Sequence, residues 1–130
     1  MSTKKKIMIV EDDVDYLEQL KIMVESFGFE TITATSQADA EKILEQEKPD
    51  LAILDVMMER EDSGFILAYK IKKKYKDVPV MILTALSNET RYQFEPEDEI
   101  EKKWIKADRY LEKGVRCEQL KREINKLLKL

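Results

Sequence analysis

The chain contains no histidine. That absence excludes a Ser-His-Asp triad, a histidine-ligated zinc and a phosphohistidine of its own. Only three glycines occur (Gly28, Gly64 and Gly114), so neither common Gly-rich phosphate loop can be written, and nucleotide binding through such loops is excluded. The single cysteine, Cys117, can form neither an internal disulfide nor a zinc cluster, which fits a reducing compartment. No apolar run reaches the roughly 18 residues that a membrane span needs. The opening Met1-Ser2-Thr3-Lys4-Lys5-Lys6 has no signal-peptide core, so a cytoplasmic protein without membrane insertion is expected. The formal charge of −4 argues against a nucleic-acid partner, which would call for a basic face. Lys4–Lys6 and Lys72–Lys74 are short basic runs of the kind that cap strands and helices in solvent.

What is present is a regular alternation. With 130 residues, 43% of them hydrophobic, the chain has the size of one domain over 1–130 and can bury roughly two thirds of its unfolded surface. Short apolar runs at Ile7–Val10, Leu51–Leu54 and Pro79–Leu83 predict buried strands, and Phe29–Thr33 and Arg109–Leu111 predict two more. Between them, residues recur at three- and four-residue steps. Leu17, Leu20, Val24 and Phe27 mark a helix over Val14–Phe27, stopped by Gly28. Ala40, Ile43 and Leu44 mark a second helix behind an N-cap at Ser36, broken by Pro49-Asp50. Phe65, Ala68 and Ile71 mark a third over Ser63–Tyr75, and Leu120, Ile124, Leu127 and Leu128 a last one over Arg116–Lys129. Strands alternating with helices predict parallel β-α-β units with right-handed crossovers, in a sheet covered on both faces.

Two of the apolar runs end in acid. Leu51–Leu54 stops at Asp55, and Ile7–Val10 stops at Glu11, Asp12 and Asp13. Ligands of open α/β sheets bind at the carboxyl ends of the strands. Asp13, Asp55, Thr84 and Lys113 each follow a predicted strand, so the polar residues gather at one edge. Carboxylates clustered there repel one another unless a cation joins them, which predicts a divalent-metal site around one reactive aspartate. Taken singly, Asp12 or Asp13 could equally cap the first helix, Thr84 could be a satisfied loop hydroxyl and Lys113 a solvated surface charge.

Asp12-Asp13, Asp55, Thr84 followed by Ala85, and Lys113 preceded by Tyr110 together resemble the receiver domain of two-component response regulators, over essentially the whole chain. The resemblance implies a flavodoxin-like (CheY-like) α/β fold, a doubly wound five-stranded sheet in the order 2-1-3-4-5. It implies that Asp55 accepts a phosphoryl group. Mg²⁺ would be held directly by Asp13, Asp55 and the backbone carbonyl of Met57, with Asp12 acting through water. Lys113 would pair with Asp55 and then with phosphate, Thr84 would bond a phosphoryl oxygen, and Tyr110 would be an aromatic switch. The donor would be a sensor histidine kinase or phosphotransfer protein, since this chain holds no histidine.

The chain departs from the family pattern in three places. Gly114 replaces the usual proline after Lys113, which predicts a trans or glycine-adapted loop, because a non-proline cis bond costs roughly 3 kcal/mol. The loop Met57–Ser63 is longer and charged, and the apolar bulk of Met57 and Leu86 predicts slow hydrolysis of the acyl phosphate. The segment 87–108 is long and acidic, with Pro96, Glu97 and Trp104, which predicts an irregular fourth-helix region. The length leaves no room for an output domain, so a stand-alone receiver is expected, signalling to a downstream protein by contact, with homodimerisation left open. Two rival readings stand beside it: a degenerate receiver that only docks, and an aspartate-nucleophile phosphohydrolase suggested by Asp13-Val14-Asp15.

Overall fold

The apolar runs are strands: β1 (Lys6–Val10), β3 (Leu51–Asp55) and β4 (Val80–Thr84). Together with β2 (Glu30–Ala34) and β5 (Arg109–Glu112) they form a parallel sheet in the order β2-β1-β3-β4-β5. The structure, a computed structural model, describes residues 5–55, 63–84, 109–112, 114 and 116–129, without the side chains of 63–65, 84, 109, 110 and 112. Among these residues α1 (Val14–Ser26), α2 (Gln37–Gln46) and α3 (Ser63–Lys74) fill the connections from β1 to β2, β2 to β3 and β3 to β4, and α4 (Cys117–Leu128) follows β5. The expected doubly wound architecture and strand order are therefore found. The irregular fourth-helix region expected over 87–108 lies outside the described residues, as does the charged loop at 56–62.

Strand residues alternate between the two faces, and each face has its own core. Met8, Val10, Ala52, Leu54, Val80 and Ile82 meet Ala40 and Leu44 of α2 and Leu67, Ala68 and Ile71 of α3. Ile7, Ile9, Leu51, Ile53, Met81 and Leu83 meet Leu17, Leu20 and Val24 of α1 and Leu120 and Ile124 of α4. Because helices cover both faces, β1, β3 and β4 show no polar alternation. Each fully buried leucine or isoleucine here contributes roughly 1.5–3 kcal/mol.

The helix ends follow local chemistry. Ser36 caps α2, its Oγ accepting from the Asp39 N–H at 3.1 Å. α1 ends at Ser26, one residue before the expected end, with Phe27 as its C-cap, and Gly28 takes φ +96°, a conformation that favours glycine. β2 sits one residue later than the Phe29–Thr33 expected; Phe29 is instead buried in the core under α1. The end of α3 is tied to α2 by Tyr75, whose hydroxyl donates to the Leu44 carbonyl at 2.8 Å while Lys48 and Lys74 flank its ring.

Asp50 sets the register of β3 on β1. Its carboxylate accepts from the Lys6 N–H at 2.7 Å, and its own N–H donates to the Lys6 carbonyl at 2.8 Å. The next residues then pair Ile7 with Leu51 and, at the far end, Val10 with Leu54. Replacing Asp50 with Ala should lower stability by about 1.5 kcal/mol, the scale of a hydrogen bond to a charged group. Urea denaturation at neutral pH measures it; an unchanged midpoint would show that packing alone sets the register.

Asp77 lies on the surface, and its carboxyl is held below the ordinary value of 3.8, first by the hydrogen bond from the Lys48 ammonium at 2.9 Å. A depressed carboxyl contributes stability that is present above the unfolded-state pKa and lost as pH falls through the folded one. In Lys48→Met the Asp77 resonance should titrate at higher pH by NMR, with little change in neutral-pH stability, as for other exposed pairs.

Candidate functional site

Parallel pairing puts equivalent residues of β1 and β3 side by side, and Val10 opposite Leu54 makes Glu11 and Asp55 the next pair at the carboxyl edge. Adjacent strands are roughly 4.8 Å apart, so two acids in these positions face each other directly. Glu11 is held there by its N–H, which donates to the Ala34 carbonyl of β2 at 3.1 Å. Both are nearly covered, Glu11 1% and Asp55 2% exposed. With exposed Asp12 they form a group in which one carboxylate oxygen from each residue lies within 4.8 Å of those of the other two. Two like charges ~4 Å apart repel by about 1 kcal/mol in water and about 4 kcal/mol at an effective dielectric of ~20. Such a group is stabilised by a cation. Three carboxylates and no sulfur or imidazole make a hard, all-oxygen donor set that suits Mg²⁺ or Ca²⁺.

Of the expected pair Asp12–Asp13, Asp12 lies in this group together with Glu11, and Asp13 is not among its three carboxylates. Asp13 Oδ1 accepts from the N–H groups of Asp15 at 3.1 Å and Tyr16 at 3.3 Å, and its carbonyl accepts from Leu17 N–H at 2.9 Å. It is the N-cap of α1, the alternative role already open to it. The reason is geometric: β1 ends at Val10, and by the third residue beyond it the chain has turned into the helix. Glu11 was legible all the same, because it follows Val10 as Asp55 follows Leu54. The Glu11 carboxylate also accepts from the Asp13 N–H at 3.2 Å, which ties the cap to the acid group. Asp15 sits in the first turn of α1, so Asp13-Val14-Asp15 is a capping sequence here.

The remaining expected residues are placed by backbone alone or not at all. Asp55 pairs with Leu83 and Thr84 with Glu112, which sets Thr84 one residue beyond the level of Asp55 on the neighbouring strand. Tyr110 lies in β5 opposite Ile82. The Thr84 and Tyr110 side chains, Lys113, Met57 and Leu86 lie outside the described residues. Gly114 takes φ +86°, the glycine-adapted geometry expected after Lys113, and its N–H donates to the Tyr16 hydroxyl of α1 at 3.0 Å.

Residues 7–125 match the family described as response regulator receiver domain. The chain belongs to that family. It is 32% identical over 126 residues to the probable transcriptional regulator ycf27 of Cyanophora paradoxa, covering 97% of this chain and 49% of the relative. This receiver thus spans about half the length of such curated relatives. Among solved structures it is similar to the response regulator TrrA of Thermotoga maritima in complex with Mg²⁺ and BeF, with TM-score 0.77, 32% identity and coverage of 95% and 98% of the two chains. A CheY-like receiver from Methanospirillum hungatei superposes with TM-score 0.82 over 98% of this chain and 95% of its own, at 24% identity, which speaks for the fold. No helix among the described residues is long and apolar enough to cross a membrane.

The two roles of the acids separate experimentally. Asp13→Ala should cost about 1 kcal/mol in urea denaturation through loss of the cap, and leave stabilisation by Mg²⁺ intact. Asp12→Asn should keep the cap and lose Mg²⁺ affinity by at least about tenfold, a loss seen even for groups behind the direct ligands. Calorimetric titration with Mg²⁺ compares the two; loss of affinity in Asp13→Ala as large as in Asp12→Asn would restore Asp13 as a ligand.

Proposed function

We propose that this receiver accepts a phosphoryl group on Asp55 and that the acid group formed with Glu11 and Asp12 supplies the cation site the reaction needs. The observation that carries the reading is the position of Asp55: last residue of β3, 2% exposed, with two further carboxylates within 4.8 Å. In the step itself an Asp55 oxygen bonds to phosphorus as the bond from phosphorus to the donor's imidazole nitrogen breaks, and the imidazole keeps the electron pair. A carboxylate is a modest nucleophile, so positioning and charge neutralisation provide the rate. Mg²⁺, when bound, would neutralise charge on the phosphoryl oxygens. Glu11, Asp12 and Asp55 would hold it together with the Met57 carbonyl. Thr84 would donate its hydroxyl to a phosphoryl oxygen, and Lys113 would place an ammonium against Asp55 and then the phosphate.

The donor is a histidine kinase or phosphotransfer protein, because the chain has no histidine to supply the imidazole. Phosphorylation would then bias a two-state surface through new charge-assisted bonds, with Tyr110 in β5 as the aromatic that follows it. The output we favour is contact with another protein, a homodimer partner among the options. A second reading has its own support: the matched regulators are about twice as long, so the receiver could act on an attached output segment. The unphosphorylated docking module is the reading to which a failed reaction would lead.

Incubation with acetyl phosphate and Mg²⁺ followed by intact-mass measurement tests the proposal. One phosphoryl adduct is expected in the wild type and none in Asp55→Asn or in EDTA. An adduct that persists in Asp55→Asn would move the acceptor elsewhere. No adduct in the wild type, with beryllofluoride also failing to bind, would leave the docking module.

A further inference from the structure

Among the described residues β2 is one end of the sheet, with β1 as its neighbour. Their pairing runs unbroken from Lys6 and Glu30 to Val10 and Ala34, so no bulge turns the strand away from a further partner. At its two ends the Glu30 N–H donates to the Lys5 carbonyl at 2.9 Å, and the Ala34 carbonyl accepts from the Glu11 N–H at 3.1 Å. Successive residues of a strand turn their backbone groups to alternate sides. Glu30, Ile32 and Ala34 therefore face β1, and Thr31 and Thr33 direct their N–H and carbonyl groups outward. Thr33 is exposed and Thr31 and Ile32 are half-buried, so this edge is open. Edges of this kind are usually guarded by proline, lysine or a bulge. Glu30–Ala34 has none of these, and its one charge, Glu30, stands at the end of the strand.

The strand also specifies what fits it, because Thr31-Ile32-Thr33 reads the same in both directions. We propose that β2 pairs antiparallel with β2 of a second copy of this chain, about a two-fold axis at Ile32. Each Thr31 then lies opposite the partner's Thr33, and their outward N–H and carbonyl groups exchange both hydrogen bonds. Ile32 meets the partner's Ile32 as a non-hydrogen-bonded pair, the closer kind, with Cα atoms roughly 4.5 Å apart. Glu30 faces the partner's Ala34, so no like charges stand opposite one another. A slip of one residue would set inward-turned groups against outward ones, and a slip of two would set Glu30 against the partner's Ile32. The Thr31 hydroxyl already donates to Glu25 Oε2 of α1 at 2.9 Å, which fixes that side chain before association. The two copies run in opposite directions, so their carboxyl edges point opposite ways and the strand pairing covers neither Asp55.

The test is sedimentation of the full chain over a rising concentration series, with disulfide trapping in a Cys117→Ser background. The weight-average mass should climb toward twice the monomer value. Thr33→Pro removes an outward N–H and leaves the bonds to β1 in place, so it should keep the wild-type circular dichroism and stay monomeric. Ile32→Lys sets two ammonium groups opposite one another and should weaken association by about fivefold or more. Ile32→Cys should form a linked dimer on mild oxidation, because the spacing across the axis suits a disulfide. Thr31→Cys, which lies opposite the partner's Thr33, should be trapped at least about tenfold more slowly. A chain that stays monomeric at millimolar concentration overturns the proposal. So does a dimer that Thr33→Pro and Ile32→Lys leave intact, or equal trapping through positions 31 and 32. If Thr33→Pro fails to fold, Ile32→Lys and the trapping pair decide.

Discussion

Everything at the carboxyl edge of this sheet depends on how β3 is seated on β1, and the seat is cut at the opposite edge. Asp50 binds both the N–H and the carbonyl of Lys6, which leaves Ile7 opposite Leu51 and Val10 opposite Leu54. A slip of one residue would reverse the face of every side chain in β3 and separate Glu11 from Asp55. The acid group is thus assembled by ordinary strand pairing, with an apolar core on each face of the sheet.

The site that results is electrostatic before it is anything else. Two covered carboxylates and one exposed carboxylate, brought within 4.8 Å, make a place where positive charge is wanted. A bound cation would answer that demand.

Much of this was legible in the residues. Strand order followed from family resemblance, but strands, helices and their buried stripes followed from periodicity: Leu17, Leu20 and Val24 on α1, and Leu120 and Ile124 on α4, are buried as their spacing demands. Asp55 was legible because an acid ending a wholly apolar run has few ordinary explanations. Glu11 and Asp13 were harder, since three acids in a row each fit a ligand or a cap. Only the last paired residue, Val10, and the first helical turn decide between them, and element ends are where sequence patterns carry least information. The Tyr16 to Gly114 bond has no local signature at all, because it joins positions 98 apart that share no motif.

The strand order also governs the sequence of events by which the chain becomes ordered. β1 lies inside the sheet, between β2 and β3, so it cannot be completed by its nearest neighbour in sequence alone. β1 and β2 can meet through the short α1 crossover, whereas the β3 pairing must wait for a much longer loop to close. The pairing that brings Glu11 beside Asp55 therefore closes a longer stretch of chain than the β1–β2, β3–β4 or β4–β5 pairings do.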